Sequence, residues 1–265
     1  MFSLIKRFIF IALLIILTGC SSSDEDTYVE KPAEDIYTEA YQAFNSQKYG
    51  QAANLFDEVE RQHPYSTWAI QGQIMSAYAH YQAQQYDDAI NTLDRFINLH
   101  PGHRYAAYAY YLKALCYYDQ IVDIGRDQKN TQLAQAALTE LINRFPRTSY
   151  AKDATLKLDL VRDHLAGKEM EIGRYYLKRK QYLAAINRFR QVIQTYQTTT
   201  HVPEALHRLT ECYLALGINE EAQDSAAVLG HNFPGSDWYE DSFKLLANLN
   251  LIPKNKPNSW LNQFF

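Results

Sequence analysis

Cysteine, glycine and proline are all scarce in this chain of 265 residues, with 3, 10 and 8 copies. Three cysteines leave room for one disulfide at most. Cys116 and Cys212 both lie in apolar helical patterns, which favours buried free thiols over a disulfide between them. The shortage of glycine and proline, with 47% hydrophobic residues and 21 tyrosines, excludes a disordered chain and is typical of a packed helical protein.

A basic excess is also lacking. The sequence has 26 Lys and Arg residues against 30 Asp and Glu residues, a formal net charge of −4. A nucleic-acid-binding protein needs a basic surface to neutralise phosphates, so that class is excluded.

Signatures of catalysis and cofactor binding are missing too. There is no glycine-rich phosphate loop, no G-x-S-x-G elbow and no H-E-x-x-H motif, so the sequence predicts no catalytic residue and no cofactor. His63, His100 and His103 come closest to a metal site. Their positions at predicted helix ends favour contacts with last-turn carbonyls over metal ligation.

No apolar run is long enough to cross a bilayer. The run from Phe8 to Leu17 has 10 residues, about half of the ~20 that a spanning helix needs. Lys6 and Arg7 precede it, and the whole pattern predicts a signal peptide over residues 1–19. The ending Leu-Thr-Gly-Cys resembles the lipobox of bacterial lipoproteins, which implies cleavage before Cys20 and lipidation of its thiol. The alternative is an ordinary signal peptide with a coincidental cysteine.

The chain contains a repeat. Residues 49–64, 86–101, 131–146, 182–197 and 219–234 each carry alanine at the fourth position, an apolar residue four positions later and another three after that. These triplets are Ala52, Phe56 and Val59; Ala89, Leu93 and Phe96; Ala134, Leu138 and Leu141; Ala185, Phe189 and Val192; and Ala222, Ala226 and Leu229. The spacing places each triplet on one stripe of a helix, and proline ends four of the five segments.

A partner helix is predicted before each segment. Ala40, Ala77 and Gly173 lie 12 residues before their repeat's alanine, where a small side chain allows two helices to approach closely. The combined pattern resembles the tetratricopeptide repeat (TPR). It predicts an all-α fold of five TPR-like helix-turn-helix repeats in a right-handed solenoid with a concave binding face.

The repeat period is irregular, with alanine-to-alanine steps of 37, 45, 51 and 37 residues. Extra helical length is therefore expected before repeats three and four. A long helix over 105–122 and a loop over 125–130 are expected before repeat three, and two helices over 149–165 and 168–180, separated at Gly167, before repeat four. Residues 20–33 are expected to form a flexible acidic tether and residues 251–265 a flexible tail. The tail's aromatic residues leave a short docking segment as the alternative.

A local basic segment contrasts with the acidic chain. Residues 168–190 hold seven basic and two acidic residues, a net charge of +5. A solvated helix face is one explanation. The other is a surface that orients an acidic partner domain.

Several stretches resemble the BamD family (also called ComL or YfiO) of outer-membrane assembly lipoproteins. They are DRFINLHP (94–101), FPRTSYAKDA (145–154), RDHLAGKEMEIGRYYLKRKQYLAAINR (162–188) and the lipobox. The resemblance implies a non-enzymatic scaffold that is lipid-anchored to the outer membrane, faces the periplasm and acts with other Bam lipoproteins.

The resemblance also implies roles for parts of the chain. Repeats over 34–101 would receive unfolded outer-membrane proteins, with Tyr65, Arg95 and His63 near the client pocket. Repeats over 102–250 would bind the last POTRA domain of a BamA-like β-barrel protein. Arg188 matches the family's coupling arginine, and Arg174, Lys178 and Arg179 belong to the same basic segment.

Two other functions stay open on sequence alone. One is a different periplasmic TPR lipoprotein that coordinates cell-envelope proteins. The other is a lipid-anchored helical enzyme acting on peptidoglycan, which would need a positioned catalytic glutamate that the sequence does not nominate.

Overall fold

The structure is a computed structural model and describes residues 30–265. The predicted signal peptide, Cys20 and most of the predicted tether lie outside the described residues. Residues 33–265 form one compact unit. Within them the chain forms eleven α-helices and a short 3-10 helix, and no strand occurs in this part.

The helices are arranged as five successive hairpins followed by one further helix. Their bounds are α1 Ala33–Asn45, α2 Tyr49–Gln62, α3 Thr67–Gln82, α4 Tyr86–Leu99, α5 Ala106–Tyr118, α6 Lys129–Arg144, α7 Ser149–Lys178, α8 Tyr182–Thr195, α9 Val202–Ala215, α10 Asn219–Asn232 and α11 Asp237–Ala247. Each helix packs against the next along the chain, and first helices also contact the first helix of the following repeat. The fold is therefore the predicted solenoid of TPR-like repeats.

The predicted apolar stripe forms the core. All fifteen of its residues, three in each second helix, are 0% exposed. Ala40 and Ala77 in the first helices are also fully buried, which confirms that small residues sit at the close helix contacts. Core clusters pass from hairpin to hairpin without a gap between separate domains.

Four of the five hairpins share one turn. A three-residue connection ends with a backbone N–H that donates to a carbonyl in the last turn of the first helix, as Gln85 does to His80 over 2.9 Å. The middle residue has positive φ: Gln47, Gln84, Lys180 and Gly217. This is the Schellman geometry, which satisfies helix-end carbonyls and reverses the chain.

The predicted break at Gly167 is wrong. Helix α7 runs without interruption for 30 residues, and Gly167 is buried within it. Leu158, Val161, Leu165 and Met170 keep one side of α7 buried on both sides of the glycine. This continuous packing outweighs the roughly 1 kcal/mol that a helical glycine costs.

The extra length before repeat three is a loop rather than a helix. Helix α5 ends at Tyr118, and α6 begins at Lys129 after a connection of ten residues. His164 of α7 holds this loop through its Nε2, which lies 2.9 Å from the carbonyl oxygen of Val122.

The tail at 251–265 packs against the array, contrary to the prediction of a flexible segment. Leu261 is fully buried in the C-terminal core cluster, and Trp260 packs against the same cluster. The backbone N–H of Lys256 donates to Oδ1 of the buried Asp224 over 2.7 Å. Residues 251–265 are called the C-terminal strap below.

Both described cysteines are buried and unpaired, as predicted. Burial raises the pKa of the Cys116 and Cys212 thiols to about 12, so both stay protonated and unreactive. None of the helices among the described residues is long and apolar enough to cross a membrane.

Candidate functional site

An aromatic groove runs across the first helices of the N-terminal repeats. It encloses about 460 Å³. Its aromatic walls are Tyr37, Tyr41, Phe44, Tyr78, Tyr105, Tyr108 and Tyr150. The groove is thus built from α1, α3, α5 and α7, which are the first helices of repeats one to four.

The aromatic rings that line the groove pack against one another. The centroids of Phe44 and Tyr78 are 5.5 Å apart, and those of Tyr108 and Tyr150 are 5.6 Å apart. Both spacings lie in the range of favourable aromatic pairs. Ring contacts therefore link helices of different repeats and fix the walls of the groove.

The groove has no charged side chain in its lining, but the hydroxyl groups of its tyrosines are polar. Burial raises the pKa of the Tyr37 and Tyr108 hydroxyls, which keeps both phenols neutral. Tyr41 is 48% exposed and presents its ring to solvent. Such a surface can stack on apolar or aromatic side chains and also offer hydrogen bonds to a backbone.

The predicted client residues lie elsewhere. Tyr65 is fully exposed in the connection between α2 and α3, and His63 ends α2 with its backbone N–H donating to the Val59 carbonyl. Arg95 of α4 pairs with Glu60 of α2, with Nη2 and Oε2 2.7 Å apart. None of the three predicted residues lines the aromatic groove.

Arg95 instead lines a polar cleft between the second helices α2 and α4, called the second-helix cleft below. It encloses about 720 Å³. Asp57 and Asp88 contribute carboxylates, and His80 lies between the helices with Nε2 3.6 Å from Oδ2 of Asp57. The neighbouring Asp57 carboxylate raises the pKa of His80.

The basic segment is divided between two sides of α7. Arg188 of α8 pairs with Glu169 over 3.1 Å in a cleft of about 480 Å³. Arg174 pairs with Glu204 of α9 over 2.9 Å. Positions 169 and 174 are about 140° apart around a helix, so the two arginines flank the buried side of α7 rather than forming one patch.

The other two basic residues lie where α7 ends. Lys178 is the last residue of α7 and Arg179 caps it, with the Arg179 guanidinium 4.4 Å from the centroid of the Tyr175 ring. Both therefore lie at the C-terminal end of α7, about two and a half turns from the Glu169 that holds Arg188.

Sequence reasoning missed the aromatic groove. Tyrosine abundance was visible, but the seven positions come from four helices between residues 37 and 150. The available signal was that tyrosine recurs within the first helices, whereas the second helices bury alanine and larger apolar residues that include phenylalanine. In the described part of the chain, no group of three or more His, Cys, Asp or Glu side chains is placed to hold a metal ion.

Comparison with known proteins identifies the family. The profile of YfiO, described as outer membrane lipoprotein, matches residues 29–250. An outer membrane protein assembly factor BamD from Caulobacter vibrioides is 50% identical over 91% of this chain and 80% of its own length. BamD from Rickettsia prowazekii is 47% identical over 89% of this chain and 96% of its own length. BamD from Neisseria meningitidis serogroup A is 35% identical over 88% of this chain and 93% of its own length. The chain belongs to the YfiO family of outer membrane lipoproteins, in agreement with the BamD-like stretches of its sequence.

Proposed function

We propose that this protein is a non-enzymatic scaffold of outer-membrane protein assembly. It is anchored to the outer membrane through a lipidated Cys20 and faces the periplasm. The N-terminal repeats receive unfolded outer-membrane proteins, and the C-terminal repeats bind a BamA-like POTRA domain alongside other Bam lipoproteins. The names of the relatives support a role in assembly, and the surfaces described above support the division of labour.

The observation that carries the proposal is the aromatic groove. Strands of β-barrel membrane proteins alternate apolar and polar residues and are rich in aromatic residues near the membrane interfaces. Before folding, such a segment is extended and exposes its aromatic side chains. Tyrosine walls can stack on these with little loss of rotamer entropy, while the phenol hydroxyls bond to the unpaired peptide groups.

The split basic surface supports the second half of the proposal. Arg188 is 42% exposed along its side chain, so its guanidinium can reach an acidic partner from the cleft beside Glu169. A planar guanidinium suits bidentate recognition of a carboxylate. Arg174 lies on the other flank and Lys178 and Arg179 lie at the C-terminal end of α7, and all three would contribute mainly to electrostatic steering.

Binding of an extended aromatic peptide tests the groove. We expect Tyr41→Ala combined with Tyr105→Ala to weaken binding of a labelled peptide from a barrel strand by about tenfold, because each lost stacking contact is worth roughly 0.5–1.5 kcal/mol. Fluorescence anisotropy with the purified chain measures the loss.

A matched control is Tyr175→Ala, because Tyr175 is 51% exposed and lies outside the groove. The control variant should bind the peptide like the wild type. An equal loss in both variants would show that the groove is not the binding surface.

A further inference from the structure

The C-terminal strap shows how the second helices of this fold bind an extended segment. It lies across α8 and α10, where Lys256 Nζ is 2.6 Å from Oε1 of Glu221 and the Arg190 guanidinium is 4.4 Å from the Trp260 ring centroid. Gln223 donates to the Ile252 carbonyl over 2.7 Å and accepts the Lys254 N–H with its own carbonyl. The second helices therefore bind this segment through its backbone and through two side chains four residues apart, those of Lys256 and Trp260.

The second-helix cleft between α2 and α4 is the same groove in an earlier repeat. Each residue that holds the strap has a counterpart the same number of residues from the alanine of an earlier repeat. These counterparts line the open cleft. The matched pairs are Arg190 and Asp57, Tyr213 and His80, Glu221 and Asp88, and Asp224 and Asn91. The groove is filled by the chain's own strap in repeats four and five and is open in repeats one and two.

The exchanged residues define what the open cleft would accept. Asp88 keeps the carboxylate that Glu221 offers to Lys256, so a cationic side chain fits there. Asn91 can bond to a backbone as Asp224 does. Where Arg190 and Tyr213 accompany Trp260, the open cleft has Asp57 and His80. Asp57 accepts a hydrogen bond from Ser76 and lies beside His80, but its side chain is 40% exposed, so its carboxylate can also pair with a second cation.

Other contacts of the cleft agree with a polar ligand. Glu60 is already paired with Arg95, whereas no ion pair among the described residues engages Asp88, which is exposed. Gln73, only 3% exposed, donates to Glu60 but leaves its own Oε1 without a partner in the described part of the chain. A buried acceptor without a partner beside the cleft is unusual in proteins.

We propose that the second-helix cleft binds an extended basic segment of a partner protein, with two cationic side chains four residues apart. The chain's own N-terminal segment is unsuitable, since residues 24–30 hold four acidic residues and no basic one. The strap of a second copy fits less well, because its tryptophan would meet Asp57 and His80.

A short peptide tests the proposal on the intact chain. The probe is a fluorescent Lys-Pro-Asn-Ser-Arg-Leu peptide, which copies residues 256–261 with arginine in place of Trp260. We expect saturable binding that weakens with salt, and a loss of about fivefold or more on Asp88→Lys, because one exposed ion pair is replaced by repulsion. A probe with glutamate in place of its lysine should recover affinity for that variant.

Asp237→Lys is the matched control. Asp237 is an exposed aspartate in the first turn of α11, as Asp88 is in α4, so the substitution makes the same change of charge in a first helical turn outside the cleft. It should leave binding unchanged, and circular dichroism checks the fold of both variants. Absence of saturable binding, or equal loss in both variants, would overturn the proposal. Neither result would bear on binding of an aromatic peptide in the aromatic groove.

Discussion

Arg188 is held by Glu169 in the free protein, so internal pairing and partner binding compete for one guanidinium. We expect Arg188→Gln to weaken binding of a purified BamA-like POTRA domain by about fivefold to tenfold, and Glu169→Gln to strengthen it, because the second change releases the arginine. Surface plasmon resonance with the immobilised domain measures both effects.

Neither substitution should alter the fold. Both side chains of the pair are partly exposed, and exposed ion pairs contribute about 1 kcal/mol or less to stability. Weaker binding in both variants would mean that the ion pair itself, and not a free Arg188, is what the partner recognises.

Individual charged residues were the least predictable part of the molecule. The sequence placed seven basic residues within residues 168–190, but their faces depend on which helices pack beside α7. Arg188 pairs with Glu169 and Arg174 pairs with Glu204, so the two arginines lie on different flanks of α7. A linear charge count contains no information on these neighbours, because the neighbours come from different repeats.

At the scale of elements, the contact between α7 and α8 depends on Gly173. A methyl group at this position would lie less than 3.0 Å from the ring of Phe189, which is fully buried. We expect Gly173→Ala to lower the free energy of unfolding by about 1–3 kcal/mol, since a packed core cannot accommodate the added group without moving the ring. Urea denaturation followed by circular dichroism measures the change.

Gly50→Ala provides the control. Gly50 lies in the first turn of α2, and nothing would approach an added methyl group within 4 Å. The free energy of unfolding should rise slightly, by up to about 1 kcal/mol, because alanine favours the helix. A stable Gly173→Ala variant would show that the two helices can separate without cost.

Elements were predicted well where one stripe of residues specified them. All five second helices follow from alanine and two apolar positions, which are fully buried in each case. The failures have local causes. Gly167 suggested a break that tertiary packing overrides, and the apolar run 105–122 extended the predicted α5 into residues that form a loop. The strap was expected to be flexible because the two prolines and the polar stretch 253–259 resemble a frayed end until Asp224 is seen beneath it.

At the scale of the whole molecule, the array has two kinds of binding surface. First helices form the aromatic groove on one side, and second helices form most of the polar clefts on the other side. This arrangement follows from the repeat, because each hairpin presents one helix to each side. Under the proposed function, an unfolded chain and a folded partner would therefore occupy different surfaces of the scaffold.

A scaffold of this kind needs to stay close to the membrane, and the predicted anchor is Cys20. One acyl chain binds a membrane only marginally, whereas several chains on one residue hold it stably. We expect Cys20→Ala to leave the precursor unprocessed or to release the protein from the outer-membrane fraction, with its far-ultraviolet circular dichroism unchanged because residues 33–265 form the fold without it. Fractionation with metabolic labelling by a fatty acid measures both effects.

The matched control is Ser22→Ala, which changes a neighbour of the cysteine and should preserve labelling and location. Normal labelling and membrane association of the Cys20→Ala variant would mean that the protein is held at the membrane by its partners and not by its own lipid.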